Sequence, residues 1–264
     1  MSEKPAATLE VPPDLEQLVA EADTGGRKPT GLAAQILLCV AVFWSLFQLW
    51  YASPLPFVFG IGVLNDTEAR AIHLGLALLI FAGLIWTGLE AWFGRETSRS
   101  PVGWSRGAAI LLGAVFLQCL LGGLVAGAKA GFVYTDWPMM NGEVLAPVEW
   151  GMGALAFLHD QALVQFNHRI TAYGLLVGGT VYALQAWRWR LAEGLGASAF
   201  VVAAALWLQA TLGVVTLIHA VPLWLGALHQ AGAALVLAAA TVNLWLVRRS
   251  QPRLFMSGPR SRVL

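Results

Sequence analysis

Charge is scarce in this sequence: lysine, arginine, aspartate and glutamate together make up 12% of its 264 residues. The 16 basic and 15 acidic side chains leave a formal net charge of +1. That net charge says nothing about nucleic acid, because these cations read as membrane-topology signals, and no nucleic-acid partner is expected. Cysteine is scarcer still. Cys39 and Cys119 both fall within apolar runs, where an external disulfide is not available to them. Two isolated thiols without CxxC spacing also make no metal site, so both read as small packing residues. No cleavable signal peptide is evident, because the first apolar run starts late and is of spanning length. The first thirty residues contain no apolar run, and their polar, Pro- and Glu-containing composition reads as a disordered tail.

What is present in quantity is apolar side chain, 58% of the chain. Six stretches reach the roughly twenty residues that a hydrocarbon core demands. They run approximately over 32–52, 72–93, 107–128, 162–187, 198–218 and 223–247. The predicted fold is therefore an all-α, multi-pass integral membrane protein with six transmembrane helices. Lys and Arg in short loops set the orientation. Arg27 and Lys28 precede the first span, Arg95, Arg99 and Arg106 separate the second and third, and Arg188 and Arg190 separate the fourth and fifth. Arg248, Arg249 and Arg253 follow the sixth, while the opposite side carries mainly Arg70 and Lys129. Both termini, including the tails 1–30 and 251–264, are thus expected to be cytoplasmic.

His168 and His229 each sit about six residues inside an apolar run, where an ionisable side chain is costly unless something binds it. At about 1.5 Å per residue both lie roughly 9 Å below the start of their helices, on one face of the membrane. One such histidine alone would be read as bonded to a neighbouring helix. Two at one depth, expected on neighbouring helices, form the geometry that holds an iron porphyrin from both sides. A repeat supports the pairing. Leu117-Gln118-Cys119-Leu120-Leu121-Gly122 and Leu208-Gln209-Ala210-Thr211-Leu212-Gly213 share an L-Q-x-x-L-G frame, and each precedes a span with a histidine near its outer end. The last four spans therefore read as two copies of a helix pair forming a four-helix bundle. Gly122, Gly123, Gly127, Gly174, Gly178 and Gly179 would permit close helix contacts. The span at 72–93 opens Ala71-Ile72-His73-Leu74-Gly75, much as the last opens Ala227-Leu228-His229-Gln230-Ala231. It reads as the closing helix of a second bundle, of which only one earlier span is present.

Residues 129–161 form one long external connection. Its aromatic and methionine side chains and its turn residues, Trp137-Pro138 and Asn141-Gly142, point to a lid packed back on the bundle or to an interfacial anchor.

Several of these segments together resemble the haem A synthase family. They are Gly122-Gly123-Leu124-Val125-Ala126-Gly127, then Ala130-Gly131-Phe132-Val133-Tyr134-Thr135-Asp136-Trp137-Pro138-Met139-Met140-Asn141-Gly142, then Val164-Gln165-Phe166-Asn167-His168-Arg169 and Leu228-His229-Gln230. The resemblance covers about residues 70–250 and implies an oxidoreductase of the bacterial inner membrane that serves cytochrome oxidase biogenesis. It implies two four-helix bundles, the C-terminal one holding iron in a haem b between His168 and His229. Haem O, supplied by a haem O synthase, would be the substrate whose methyl group becomes the formyl group of haem A. An electron donor is also implied, and a homo-oligomer is left open. His73 matches one histidine of the substrate site, which makes it the catalytic candidate as a substrate-haem ligand. The family's Glu-Trp-x-His-Arg type motif, which would supply that site's other groups, is absent from this sequence.

The resemblance assigns further roles. Arg169 and Lys129 sit where haem propionates would approach, although Lys129 could equally snorkel to the interface. Gln165 and Gln230 are candidates for orienting the axial imidazoles. His159 and His219 are expected to be solvated, Glu90 to be an interface residue, and Asp136 to help shape the haem site.

Residues 40–74 are similar to something else. Ser45-Leu46-Phe47-Gln48-Leu49-Trp50, Ser53-Pro54-Leu55-Pro56-Phe57 and Asn65-Asp66-Thr67-Glu68-Ala69-Arg70 resemble the start of fused permeases of tripartite ATP-independent periplasmic transporters. That sets a permease-like segment at 31–71 beside a synthase-like membrane domain at 72–250. Three functions follow: a haem A synthase-like enzyme, a haem b electron-transfer module without synthase activity, and a permease fragment.

Overall fold

The computed structural model describes residues 66–94, 102–188 and 193–249. The predicted span at 32–52, both tails, Cys39 and most of the permease-like segment lie outside the described residues. Those described fold into helices, with one long connection between Gly127 and Gln161 and no strand among them. The helices are α1 (Asp66–Phe93), α2 (Val102–Gly127), a single turn α3 (Ala156–His159), α4 (Gln161–Arg188), α5 (Glu193–Ile218) and α6 (Leu223–Arg249). Five of the six predicted spans fall on α1, α2, α4, α5 and α6. Among the described residues four stretches are long and apolar enough to cross a membrane, at Ala71–Phe93, Trp104–Gly127, Leu195–Ile218 and Leu223–Arg249. The fifth helix, α4, is 28 residues long but carries Gln165, His168 and Arg169 inside the protein.

Four of these helices close a ring. α2 packs on α4, α4 on α5, α5 on α6, and α6 back on α2, while α1 docks outside against α2 and α6. The bundle expected from the last four spans is therefore present. It corrects one expectation: α4 and α6, which carry His168 and His229, are diagonal across the ring rather than adjacent. The interior is apolar along much of its length, where Leu78, Leu111, Val115, Leu175, Val202, Leu206, Val236 and Leu237 belong to one cluster. Apolar side chains also cover the outside, with Ile110 and Leu208 each 72% exposed. A helix apolar on both faces is a helix solvated by lipid.

Polar groups at the two ends lock the helices in register. At the end holding the α1 C-terminus, the Tyr182 hydroxyl donates to Asn243 Oδ1 at 2.9 Å. Asn243 Nδ2 then donates to Ser198 Oγ at 2.8 Å, linking α4, α6 and α5. Arg249 donates to the carbonyls of Phe93 and Gly94, satisfying the open C-terminus of α1. At the other end Asp160 begins α4 as its N-cap: Oδ1 accepts from the Leu163 amide at 2.8 Å and Oδ2 from the Glu149 amide at 3.1 Å. Gln161 Nε2 donates to Ala128 O at 2.8 Å, tying the start of α4 to the end of α2. Of the glycines expected at helix contacts, Gly122, Gly123 and Gly179 meet side chains of neighbouring helices closely, whereas Gly174 and Gly178 face open space.

The connection between α2 and α4 packs back on the bundle, as a lid would. Asn141 and Gly142, at φ 53° and 85°, make the two-residue turn of a small hairpin in which Met140 and Glu143 exchange backbone hydrogen bonds. That turn drives Met140 inward until it is fully buried beside Ala146 and Ala162, with Tyr134, Val148 and Phe166 around them.

Candidate functional site

His168 lies seven residues into α4 and His229 six residues into α6, so the two imidazoles sit at nearly one depth. Each ring is held by the helix beside it. Gln118 Nε2 lies 3.0 Å from His168 Nδ1 and donates to the His168 carbonyl at 3.0 Å. Gln209 Nε2 lies 3.0 Å from His229 Nδ1 and donates to the His229 carbonyl at 2.7 Å. One turn further along each supporting helix is a glycine. A Cβ on Gly122 would stand 3.2 Å from His168 Cε1, and one on Gly213 would stand 2.8 Å from His229 Cε1. The L-Q-x-x-L-G repeat thus has a physical meaning: in each copy the glutamine braces a histidine and the glycine makes a notch for its ring.

These braces replace the expected ones. Gln230 is exposed. Gln165 donates to Tyr134 O at 3.0 Å and accepts from Arg169 Nη2 at 3.3 Å, so both residues serve the lid. The signal for Gln118 and Gln209 was in the sequence, since they occupy the same place in both copies, four residues before the notch glycine.

Arg169, buried beside His168, clamps the lid. Its Nη1 donates to Met139 O at 2.9 Å and Pro138 O at 3.4 Å, and its Nη2 to Asp136 O at 3.1 Å and Tyr134 O at 3.2 Å. Only Nε, itself buried, has no partner among the described residues. Register explains why this cation has no counterpart in the second half. The positions matching Gln165 and Arg169 there are Gly226 and Gln230, and where the first half has its lid the second has a turn from His219 to Pro222. A buried guanidinium serving several carbonyls is worth more than neutral bonds. Arg169→Leu should therefore cost on the order of 2–4 kcal/mol. It should show as a lower unfolding temperature in detergent and as faster proteolysis between residues 134 and 142. Unchanged proteolysis would mean the clamp does not hold the lid.

The other sequence candidates are placed as follows. Lys129 follows α2 by two residues, in a left-handed conformation, φ 54°, at the start of the short turn Ala130–Phe132, and is exposed. His73 is half-buried on α1, the helix outside the ring. His219 is exposed and bonded to its own helix. Asp136 accepts from the Asn141 and Gly142 amides, and the Asn141 bond above all lowers its pKa below the ordinary 3.8. A depressed carboxylate stabilises the turn above its unfolded pKa and loses that effect as pH falls through the folded value. Protection of the Asn141 amide from hydrogen exchange should accordingly persist at pH 4 and fade only in stronger acid.

Two neutral imidazoles can coordinate a metal, but two ligands do not hold a bare ion. Among the described residues no group of three or more His, Cys, Asp or Glu side chains comes together for one. The donor set fits a metal that brings its remaining ligands with it, as the iron of a porphyrin does.

Comparison with known proteins agrees with this chemistry. Residues 65–241 match the family described as cytochrome oxidase assembly protein, COX15-CtaA. The chain belongs to that family. It is 56% identical over 187 residues to the haem A synthase of Caulobacter vibrioides, covering 69% of this chain and 54% of the relative. It is 50% identical over 187 residues to the haem A synthase of Caulobacter sp., with the same coverage. With that of Methylobacterium sp. it shares 44% over 178 residues, 66% of this chain and 49% of the relative. The chain thus spans about half the length of the curated relatives it matches. The family match begins at residue 65, so residues 65–71, expected above in the permease-like segment, fall within the COX15-CtaA family. These comparisons show no likeness to a permease.

Proposed function

We propose that this protein is a haem A synthase-like membrane oxidoreductase whose four-helix bundle binds one b-type haem, with His168 and His229 as its two axial ligands. The observation that carries this reading is the duplicated histidine, glutamine and glycine arrangement on diagonal helices. Iron held between two imidazoles is low-spin and passes single electrons. The chain's own residues do the rest. Gln118 and Gln209 fix the ring orientations, Gly122 and Gly213 leave them room, and the clamped lid screens the outer end of the bundle from water. Lys129 just past the end of α2 and the remaining Nε of Arg169 are the groups offered to propionates.

Oxidation of the haem O methyl group to the formyl of haem A is the reaction we assign by kinship, with haem O delivered by a haem O synthase. It needs a second, substrate-holding site, for which His73 on α1 is the candidate ligand. The Lys and Arg distribution in the loops supports cytoplasmic termini and a periplasmic lid in the bacterial membrane. Because His73 stands outside the ring and is a single ligand, electron transfer by haem b without oxidation of substrate is the second reading.

Pigment extraction from membranes of a host that makes haem O separates the two. A positioned substrate contributes much of the rate of such a step. The 264-residue chain is expected to yield protohaem with little or no haem A. Haem A at the level of a full-length relative would imply that a second copy of the chain or the span at 32–52 rebuilds the substrate site, and no pigment at all would overturn both readings.

A further inference from the structure

The two glutamines carry an inference that rests on the bis-histidine reading. Each presents its amide N–H to the Nδ1 of a histidine, and each uses the same nitrogen on that histidine's carbonyl. An imidazole that accepts at Nδ1 carries its proton on Nε2 and has no lone pair there for a metal. Ligation through Nε2 requires the other tautomer, with the proton on Nδ1 and an acceptor facing it. Next to His168 such an acceptor already exists. Gln118 Oε1 is buried and has no hydrogen-bond partner among the described residues.

We propose that Gln118 is the positioning residue that selects the metal-binding tautomer of His168. Turning its carboxamide exchanges Nε2 for Oε1 at Nδ1 and gives up the bond from Nε2 to the His168 carbonyl, so one side chain can serve either tautomer at the cost of one backbone contact. Carboxamides are suited to this because donor and acceptor are nearly the same size and share one plane. Gln209 is placed to do the same for His229. Its surroundings are tighter, since Gln209 Oε1 lies against Gly232, where a Cβ would stand only 2.2 Å away. The first half has Thr171 at the matching position. The two braces are therefore unequal, and Gln118 is the one whose carboxamide oxygen is buried and unused.

An acceptor on Nδ1–H makes the imidazole a stronger donor to iron and favours the oxidised metal. Reduction potentials of the full chain in detergent, with haem bound, read this out. Gln118→Glu, which offers only acceptors, should lower the midpoint potential. Gln118→Leu, which offers none, should raise it, and Gln209→Leu should raise it too. The outer g-values of the low-spin electron paramagnetic resonance signal should move in the same two variants of Gln118 and in opposite directions. Should the Glu variant fail to accumulate, the Leu variant alone still decides. A bis-histidine spectrum with an unmoved potential in Gln118→Leu would overturn the role given to Gln118 while leaving the ligands intact. Absence of a low-spin signal from the unaltered chain would instead overturn the ligand assignment on which it rests.

Discussion

His168→Ala and His229→Ala should each abolish the low-spin haem spectrum, and either loss should be complete rather than partial. On the proposed reading each imidazole would supply one of two protein ligands, and among the described residues no group of three or more His, Cys, Asp or Glu comes together to offer a substitute. Truncation also leaves a brace without its partner: Gln118 or Gln209 would keep its bond to the backbone carbonyl and lose the ring. The helices should survive, because the apolar cluster from Leu78 to Ala240 is untouched by either change. Helix content measured by circular dichroism should therefore match the unaltered protein while the absorption bands disappear. If either variant kept an unchanged bis-histidine spectrum, the assignment would be wrong.

A second large effect is expected from a single methyl group. Gly213→Ala would place Cβ 2.8 Å from His229 Cε1, a separation that side chains do not tolerate, so the ring must move. Gly122→Ala would place Cβ 3.2 Å from His168 Cε1, which a shift of a few tenths of an ångström relieves. Overpacking of this kind costs about 1–3 kcal/mol. At 1.4 kcal/mol per tenfold, haem affinity should fall roughly five- to a hundredfold in Gly213→Ala. The fall should be smaller in Gly122→Ala, and Val should be worse than Ala at both positions. Titration of haem into detergent-solubilised protein measures the order. Equal affinities in Gly122→Ala and Gly213→Ala would argue that the notches are incidental to ligand placement.

Much of this architecture could be read before the structure, for identifiable reasons. Apolar length alone locates α1, α2, α5 and α6, since a lipid-solvated helix announces itself by composition. α4 was legible despite its polar residues because the run around them is long. Helix ends were less so: α1 starts at Asp66, ahead of its apolar stretch, because a helix continues beyond the part of it that lipid covers. His168 and His229 were recognisable from depth and repeat. Their diagonal placement was not, because equal depth on two helices says nothing about how the helices are ordered around a ring. The orienting partners were sought next to the histidines at Gln165 and Gln230, whereas the bonds run between helices, from positions 50 and 20 residues away in sequence. Arg169 shows the same limit. A buried cation demands anionic or carbonyl partners, and only folding reveals that the backbone of residues 134–139 supplies them.

Because Gln118, Gly122 and His168 all belong to α2 and α4, and Gln209, Gly213 and His229 to α5 and α6, either consecutive hairpin is a self-sufficient heritable unit. Such a layout is what tandem duplication of one hairpin leaves behind. It also frees the two descendants to diverge without dismantling each other. The earlier hairpin carries about thirty residues at its bend and an arginine that holds them, while the later one has a bare four-residue bend. The two halves differ most at these bends, where a longer loop is inexpensive, and the paired interior is recognisably double.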